Sequence, residues 1–116
     1  MAIRRKQVRS IVVLYGKGNY VGDSETDELE KAITDEAAAG NRRLVLNLSE
    51  CEWFNSTAIG MLVSRLTHYK ARDGVIKLCG LGKRMKNLFV MMKLIEVFDH
   101  YDSEEEAIAS FADAKE

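Results

Sequence analysis

"LVLNLSECEWFNSTAIGMLV", residues 44–63, passes from an apolar run through an acidic stretch to a helical pattern within a few residues. Leu44, Val45 and Leu46 are consecutive, as expected of a central strand covered on both faces, and "RLVLNLS" (43–49) is read as that strand. Beyond the aromatic pair Trp53–Phe54 the chain sets Asn55, Ser56 and Thr57 side by side. Ile59, Leu62, Val63, Leu66 and Tyr69 then recur at helical spacing and predict a helix over 57–72, stopped by Gly74. Met61 and Arg65 fall off this stripe, one or two turns from Thr57, which makes them candidates for a contact surface. Three small polar residues exceed what one helix cap requires. They read either as a cap with a redundant neighbour or as a turn presenting a hydroxyl for modification. A helix start carries unpaired N–H groups and partial positive charge, so it tolerates a phosphate. A phosphorylated hydroxyl there adds about two negative charges, which suits a switch acting through an interface.

On the N-terminal side, "SIVVLY" (10–15) is a β-branched apolar run and reads as a strand. The glycine-rich "GKGNYVG" (16–22) reads as a turn with a short second strand at 19–21, together a hairpin. Ser24 and Asp27 give an approximate capping box for a helix over 25–39. Its buried stripe is Leu29, Ala32, Ile33 and Ala37, and Gly40 ends it. On the C-terminal side, "VIKLC" (75–79) is another strand and "GLG" (80–82) a turn. Met85, Leu88, Phe89 and Met92 mark a helix over 84–93, followed by a short strand at Val97–Phe98. Ser103 and Glu106 form an S-x-x-E box opening a last helix over 103–113, with Ala107, Ile108 and Phe111 inward. The β-β-α-β-α-β-α-β-α alternation predicts one α/β domain over 1–116, a mixed, mostly parallel sheet of about five strands with four helices packed on it. The basic opening "MAIRRKQVR" (1–9) reads as a flexible arm.

Composition narrows the function classes. The 116 residues are 47% apolar and 30% charged, the balance of a folded globular domain. Seventeen basic and eighteen acidic residues nearly cancel, so no basic field for nucleic acid dominates. No apolar run approaches the ~20 residues that span a bilayer, and the N-terminus lacks a secretory segment, so a cytoplasmic protein without membrane insertion is expected. Cys51 and Cys79 fit that compartment as thiols, although a single pair also leaves a disulfide open. The glycines at 16, 18 and 22 miss the dinucleotide-binding spacing, and "GLGKRMK" lacks the remainder of a phosphate loop. Cys51, Cys79, His68 and His100 are scattered without metal-ligand spacing, and no base stands beside a nucleophile. Neither a cofactor nor an enzyme activity is expected.

Two segments together resemble the STAS domain family, the fold of anti-sigma-factor antagonists and of the cytosolic domains of sulfate transporters. The first is "LVLNLSECEWFNSTAIGMLV", similar to the family's strand, loop and D-S-[ST]-G-[LI]-G helix start. The second is "VIKLCGLGKRMKNLFVMMKLIEVFDHYDSEEEAIASF", similar to its later strand, turn, helix, Leu-x-x-Val-Phe strand and closing helix. The resemblance runs from about Ser10 to Phe111. It implies a non-enzymatic regulator that binds a kinase-like ATPase acting as anti-sigma factor through the surface around the second helix, where Asn55, Ser56 and Thr57 join Met61 and Arg65, the candidates that lie off the core stripe. It also implies a phosphate acceptor at Thr57, with Ser56 the second choice. Asn55 stands where the family usually has Asp and Ala58 where it usually has Gly, which removes a charge and stiffens the helix start. A constitutive binding module, a soluble subunit of a lipid or anion transport complex and, more remotely, a nucleotide-binding module remain as alternatives within the family.

Overall fold

The computed structural model describes residues 3–111. Its elements are β1 (Arg4–Val8), β2 (Ile11–Tyr20), α1 (Ser24–Ala38), β3 (Arg43–Phe54), α2 (Ser56–Lys70), β4 (Val75–Cys79), α3 (Lys83–Met91), β5 (Asp99–Tyr101) and α4 (Glu104–Ala109). The five strands form one sheet in the order β1-β2-β3-β4-β5, with β1–β2 antiparallel and the other three pairs parallel. The expected strand at Leu44–Leu48 is therefore the middle one: Leu44 pairs with Val12 on one side and Ile76 on the other.

The consecutive apolar residues alternate between two buried faces. Val12, Leu14, Leu44, Leu46, Ile76 and Leu78 lie in the main core with Leu29 and Ile33 of α1, Leu62 and Leu66 of α2, and Met85 and Phe89 of α3. Ile11, Val13, Val45 and Cys79 form a smaller core on Ala107 of α4 and on Phe111. Both faces being covered is why these stretches are almost wholly apolar, and Lys77, between Ile76 and Leu78, is buried with its Nζ donating to Ser110 Oγ at 2.6 Å. Ser103 caps α4, its Oγ accepting from the Glu106 N–H at 3.1 Å. The part of the last helix expected at 112–113 lies outside the described residues.

The largest departures are at the N-terminus. Arg4–Val8, read as part of a flexible arm, is an edge strand joined to β2 through a turn at Arg9, where φ is +54°. Its charged sequence hides the strand. Arg5 pairs with Glu36 at 2.6 Å, Lys6 pairs with Glu104 at 3.0 Å, and the Arg4 guanidinium stacks over Tyr15. Edge strands carry such charges because they deter pairing with other chains. The expected hairpin within 10–22 is instead one ten-residue strand, bulged between Tyr15 and Lys17 and again between Gly18 and Asn19. Gly16 is needed there because a Cβ would stand 2.8 Å from Cys51 Sγ.

Smaller corrections follow from capping and packing. Asp23, not Ser24, caps α1, its Oδ1 accepting from the Thr26 N–H at 3.3 Å. The last strand lies at Asp99–Tyr101 instead of Val97–Phe98. The amides of Val97 and Phe98 turn back to the Leu94 carbonyl, while the Phe98 ring packs on Phe89 with centroids 5.9 Å apart. Phe98 is apolar because it fills the core, not because it extends the sheet. Cys51 and Cys79 are both buried free thiols, so no disulfide joins them.

Candidate functional site

Three parallel strands each lead into a helix at their carboxyl ends, which gathers the starts of α1, α2 and α3 on one edge of the sheet. This is the edge where open α/β sheets place their sites. β2 and β3 overrun β4 there: β3 continues to Phe54, and its last residues pair with β2 alone. The two strand ends are pinned by Tyr20 and Phe54, both buried, with ring centroids 5.0 Å apart. The Asn55 N–H then donates to the Tyr20 carbonyl at 3.0 Å, closing the pair.

Asn55 is the N-cap of α2. Its Oδ1 accepts from the Ala58 N–H at 3.0 Å, and its Nδ2 donates to the Val21 carbonyl at 2.9 Å. The second bond gives Asn a use that Asp could not serve, since a carboxylate has no proton for a carbonyl. Ala58 is fully buried, so its methyl group adds to the core at the position where glycine is usual in the family. Ser56 and Thr57 are the first two residues of α2, and both are exposed. With the cap supplied by Asn55, neither hydroxyl is required to start the helix. The first turn contains no acidic residue, leaving its N–H groups and dipole uncompensated by side-chain charge.

The β2–α1 loop completes the site and was not singled out from the sequence. Gly22, at φ +83°, lies so close that a Cβ on it would be 2.9 Å from Thr57 Cγ2 and 3.6 Å from Thr57 Oγ1. Its N–H donates to Thr26 Oγ1 at 2.9 Å, which fixes the loop to α1. The signal was present in "VGDS": a glycine for positive φ followed by a helix-capping Asp. On the other flank, the Arg84 guanidinium lies 4.2 Å from the centroid of the Trp53 ring, joining the end of β3 to the start of α3.

Not every expected contact residue reaches this surface. Met61 is only 9% exposed and belongs to the main core. The buried sector of α2 is wider than one stripe because the helix packs on both the sheet and α1. Arg65 is directed to α1, its Nε 3.7 Å from Glu30 Oε2. The structure thus brings Asn55, Ser56 and Thr57 together with Val21 and Gly22, while Met61 is taken up by the core and Arg65 by α1.

The remaining chemistry is sparse. Burial pushes the Cys51 thiol, and likewise that of Cys79, up to about 12, so both stay protonated and unreactive near neutral pH. No group of His, Cys, Asp and Glu among the described residues could hold a metal ion. A cleft of about 540 Å³ between β1, β2 and α1 is lined by Arg4 and Lys17 but also by Glu25, Glu28 and Glu50, a mixture that favours no one charged ligand. Among the described residues, no helix is long and apolar enough to cross a membrane.

The family model of the STAS domain matches residues 3–107. The chain belongs to the STAS domain family. A relative from Bordetella bronchiseptica named as an anti-sigma factor antagonist, BtrV, is 23% identical over 94 residues, 81% of each chain. Among solved structures, the anti-sigma factor antagonist tm1081 from Thermotoga maritima superposes with a TM-score of 0.86 at 21% identity, covering 93% of this chain and 92% of that one. The anti-sigma factor antagonist SpoIIAA gives 0.73 at 18% identity in its unphosphorylated form, over 97% of this chain and 98% of that one. Its phosphorylated form, from Bacillus, gives 0.72 at 20% identity, over 94% and 98%. This STAS domain has the mixed five-stranded sheet with four helices that the sequence resemblance implied, and the family's S-[ST] motif falls on the exposed start of α2.

Proposed function

We propose that this STAS domain is a non-enzymatic regulator of the anti-sigma-factor-antagonist type, acting in the cytoplasm by binding a protein partner through the start of α2. The partner class is an anti-sigma factor that is also a kinase-like ATPase, and phosphorylation of Thr57 by that partner weakens the complex. Ser56 is the second choice of acceptor. The observation that carries this reading is the division of labour at the helix start. Asn55 does the capping, so the hydroxyl of Thr57, an exposed residue at the second helical position, is not needed to start the helix. A phosphate there is favoured by the free N–H groups and the dipole, which keeps the fold while changing the charge of the surface. The phosphorylated form of SpoIIAA supports the same reading.

The test measures binding of wild type, Thr57→Ala and Thr57→Glu to the cognate anti-sigma kinase. Thr57→Ala is expected to fold and to stay bound when ATP is present. Thr57→Glu is expected to bind more weakly, though not as weakly as the phosphoprotein, because a carboxylate has about half the charge of a phosphate. Equal binding by all three proteins, with and without ATP, would leave a binding domain without a switch.

A further inference from the structure

We propose that the outer face of α3 and the turn after it form a second docking surface, whose occupant is an acidic amphipathic segment of a partner protein. Among the described residues, four of the six exposed large apolar side chains fall within 90–97: Val90 at 55% exposure, Met91 at 79%, Met92 at 40% and Val97 at 40%. The inward face of α3 is already satisfied by Met85 and Phe89, both fully buried. Packing within the domain therefore does not account for Val90 and Met91, which project on the opposite side. Exposed apolar groups clustered in this way mark contact surfaces, and methionine adapts to partner side chains because it is flexible and polarizable.

Charge selects the occupant. Lys83, Arg84, Lys86 and Lys93 lie on the same segment as the apolar group, and no acidic residue occurs from 83 to 95. Arg84 is held in place by Trp53, and Lys86 lies 3.5 Å from Asp102 at the surface. A helix with an apolar stripe bordered by Asp or Glu matches both features. A flat anionic bilayer matches less well, since a plane also meets the exposed carboxylates of Glu96, Asp99 and Asp102, whereas one helix laid along α3 meets the stretch from 83 to 95 without an acidic residue. A second copy offers acidity on α1 and α4, but α3 against either would be a head-to-tail contact with no reason to close.

The test titrates the labelled protein with an amphipathic helical peptide of Leu, Ala and Glu, and follows amide shifts. Shifts are expected to concentrate in 83–97. Met91→Glu is expected to weaken binding about tenfold, by losing an apolar contact and adding a like charge. Lys83→Glu combined with Lys93→Glu should act in the same direction. Both variants change exposed positions, and unchanged shifts elsewhere verify their fold. Thr57→Ala should leave peptide binding unaltered, which separates this surface from the start of α2. The proposal is overturned by no binding, by shifts centred elsewhere, or by equal binding of a peptide with Lys in place of Glu. It is equally overturned if Met91→Glu abolishes retention on phosphatidylglycerol vesicles or self-association while peptide binding is unchanged.

Discussion

Asn55 holds Val21 in place: its Nδ2 donates to the Val21 carbonyl at 2.9 Å while its Oδ1 caps α2 through the Ala58 N–H at 3.0 Å. One side chain thus sets both the start of the helix and the loop that lies against Thr57. Replacing Asn55 by Ala removes both bonds and is expected to cost about 2 kcal/mol in denaturant melts. Asn55→Asp keeps the cap and loses the loop bond, so it should cost less while hydrogen exchange at the Gly22 amide accelerates. Unchanged exchange in Asn55→Asp would show that the loop is held without this bond.

Gly22 is constrained twice, by its φ of +83° and by the Thr57 methyl that a Cβ would meet at 2.9 Å. Gly22→Ala should therefore destabilise the domain by about 1–3 kcal/mol, from the backbone conformation and the contact together. The same variant should move the NMR signal of the Thr57 methyl group. A neutral melt with an unmoved methyl signal would contradict this packing.

Leu62 and Leu66 lie under the sheet at 0% and 4% exposure. Truncating either to Ala should cost about 2–5 kcal/mol. Met61→Ala should fall in the lower part of the same range, because Met61 is a core residue and not a surface one. A loss below about 0.5 kcal/mol at Met61, typical of surface substitutions, would return it to the contact surface.

Glu104 predicts the acid limb of stability. Burial pushes its carboxyl up, but hydrogen bonds from Asn47 and Lys6 outweigh burial and hold it below the usual carboxylate range. A carboxyl lowered in the folded state contributes stability that is fully present above its unfolded pKa. That contribution is lost as pH falls through the lowered folded value. Urea melts of wild type and Glu104→Gln should therefore differ most near neutral pH and converge as the solution becomes more acidic than the ordinary carboxylate range. A difference that stays constant across that range would assign the effect to packing.

The parts of the fold that were legible in the sequence are those governed by burial. The runs at Ile11–Leu14 and Leu44–Leu46, with Ile76 and Leu78 on either side of Lys77, are apolar because both faces of the sheet are covered, so composition alone exposes them. β1 was hidden because it is an edge strand: four of its five residues are exposed, and its partners Glu36 and Glu104 lie far along the chain. The bulged half of β2 read as a turn because its glycines serve close approach to Cys51 and a bulge, which resemble turn signals locally. At the site, the cap and the two hydroxyls were readable from "NST". The Val21–Gly22 loop was not, since its relation to Thr57 depends on parallel pairing across more than thirty residues. Met61 was misassigned because a stripe of helical spacing does not show how wide the buried sector is when a helix packs on two neighbours.

The most direct test of the central claim is to incubate wild type and Thr57→Ala with the cognate anti-sigma kinase and ATP, and to map phosphate by mass spectrometry. The account predicts a single phosphate on Thr57 in the wild type, none on Thr57→Ala, and release of the kinase only from the wild type. Label confined to Ser56 would move the acceptor by one residue. Absence of phosphate from both hydroxyls, with the kinase shown to bind, would contradict the switch and leave the exposed start of α2 as a constitutive docking surface.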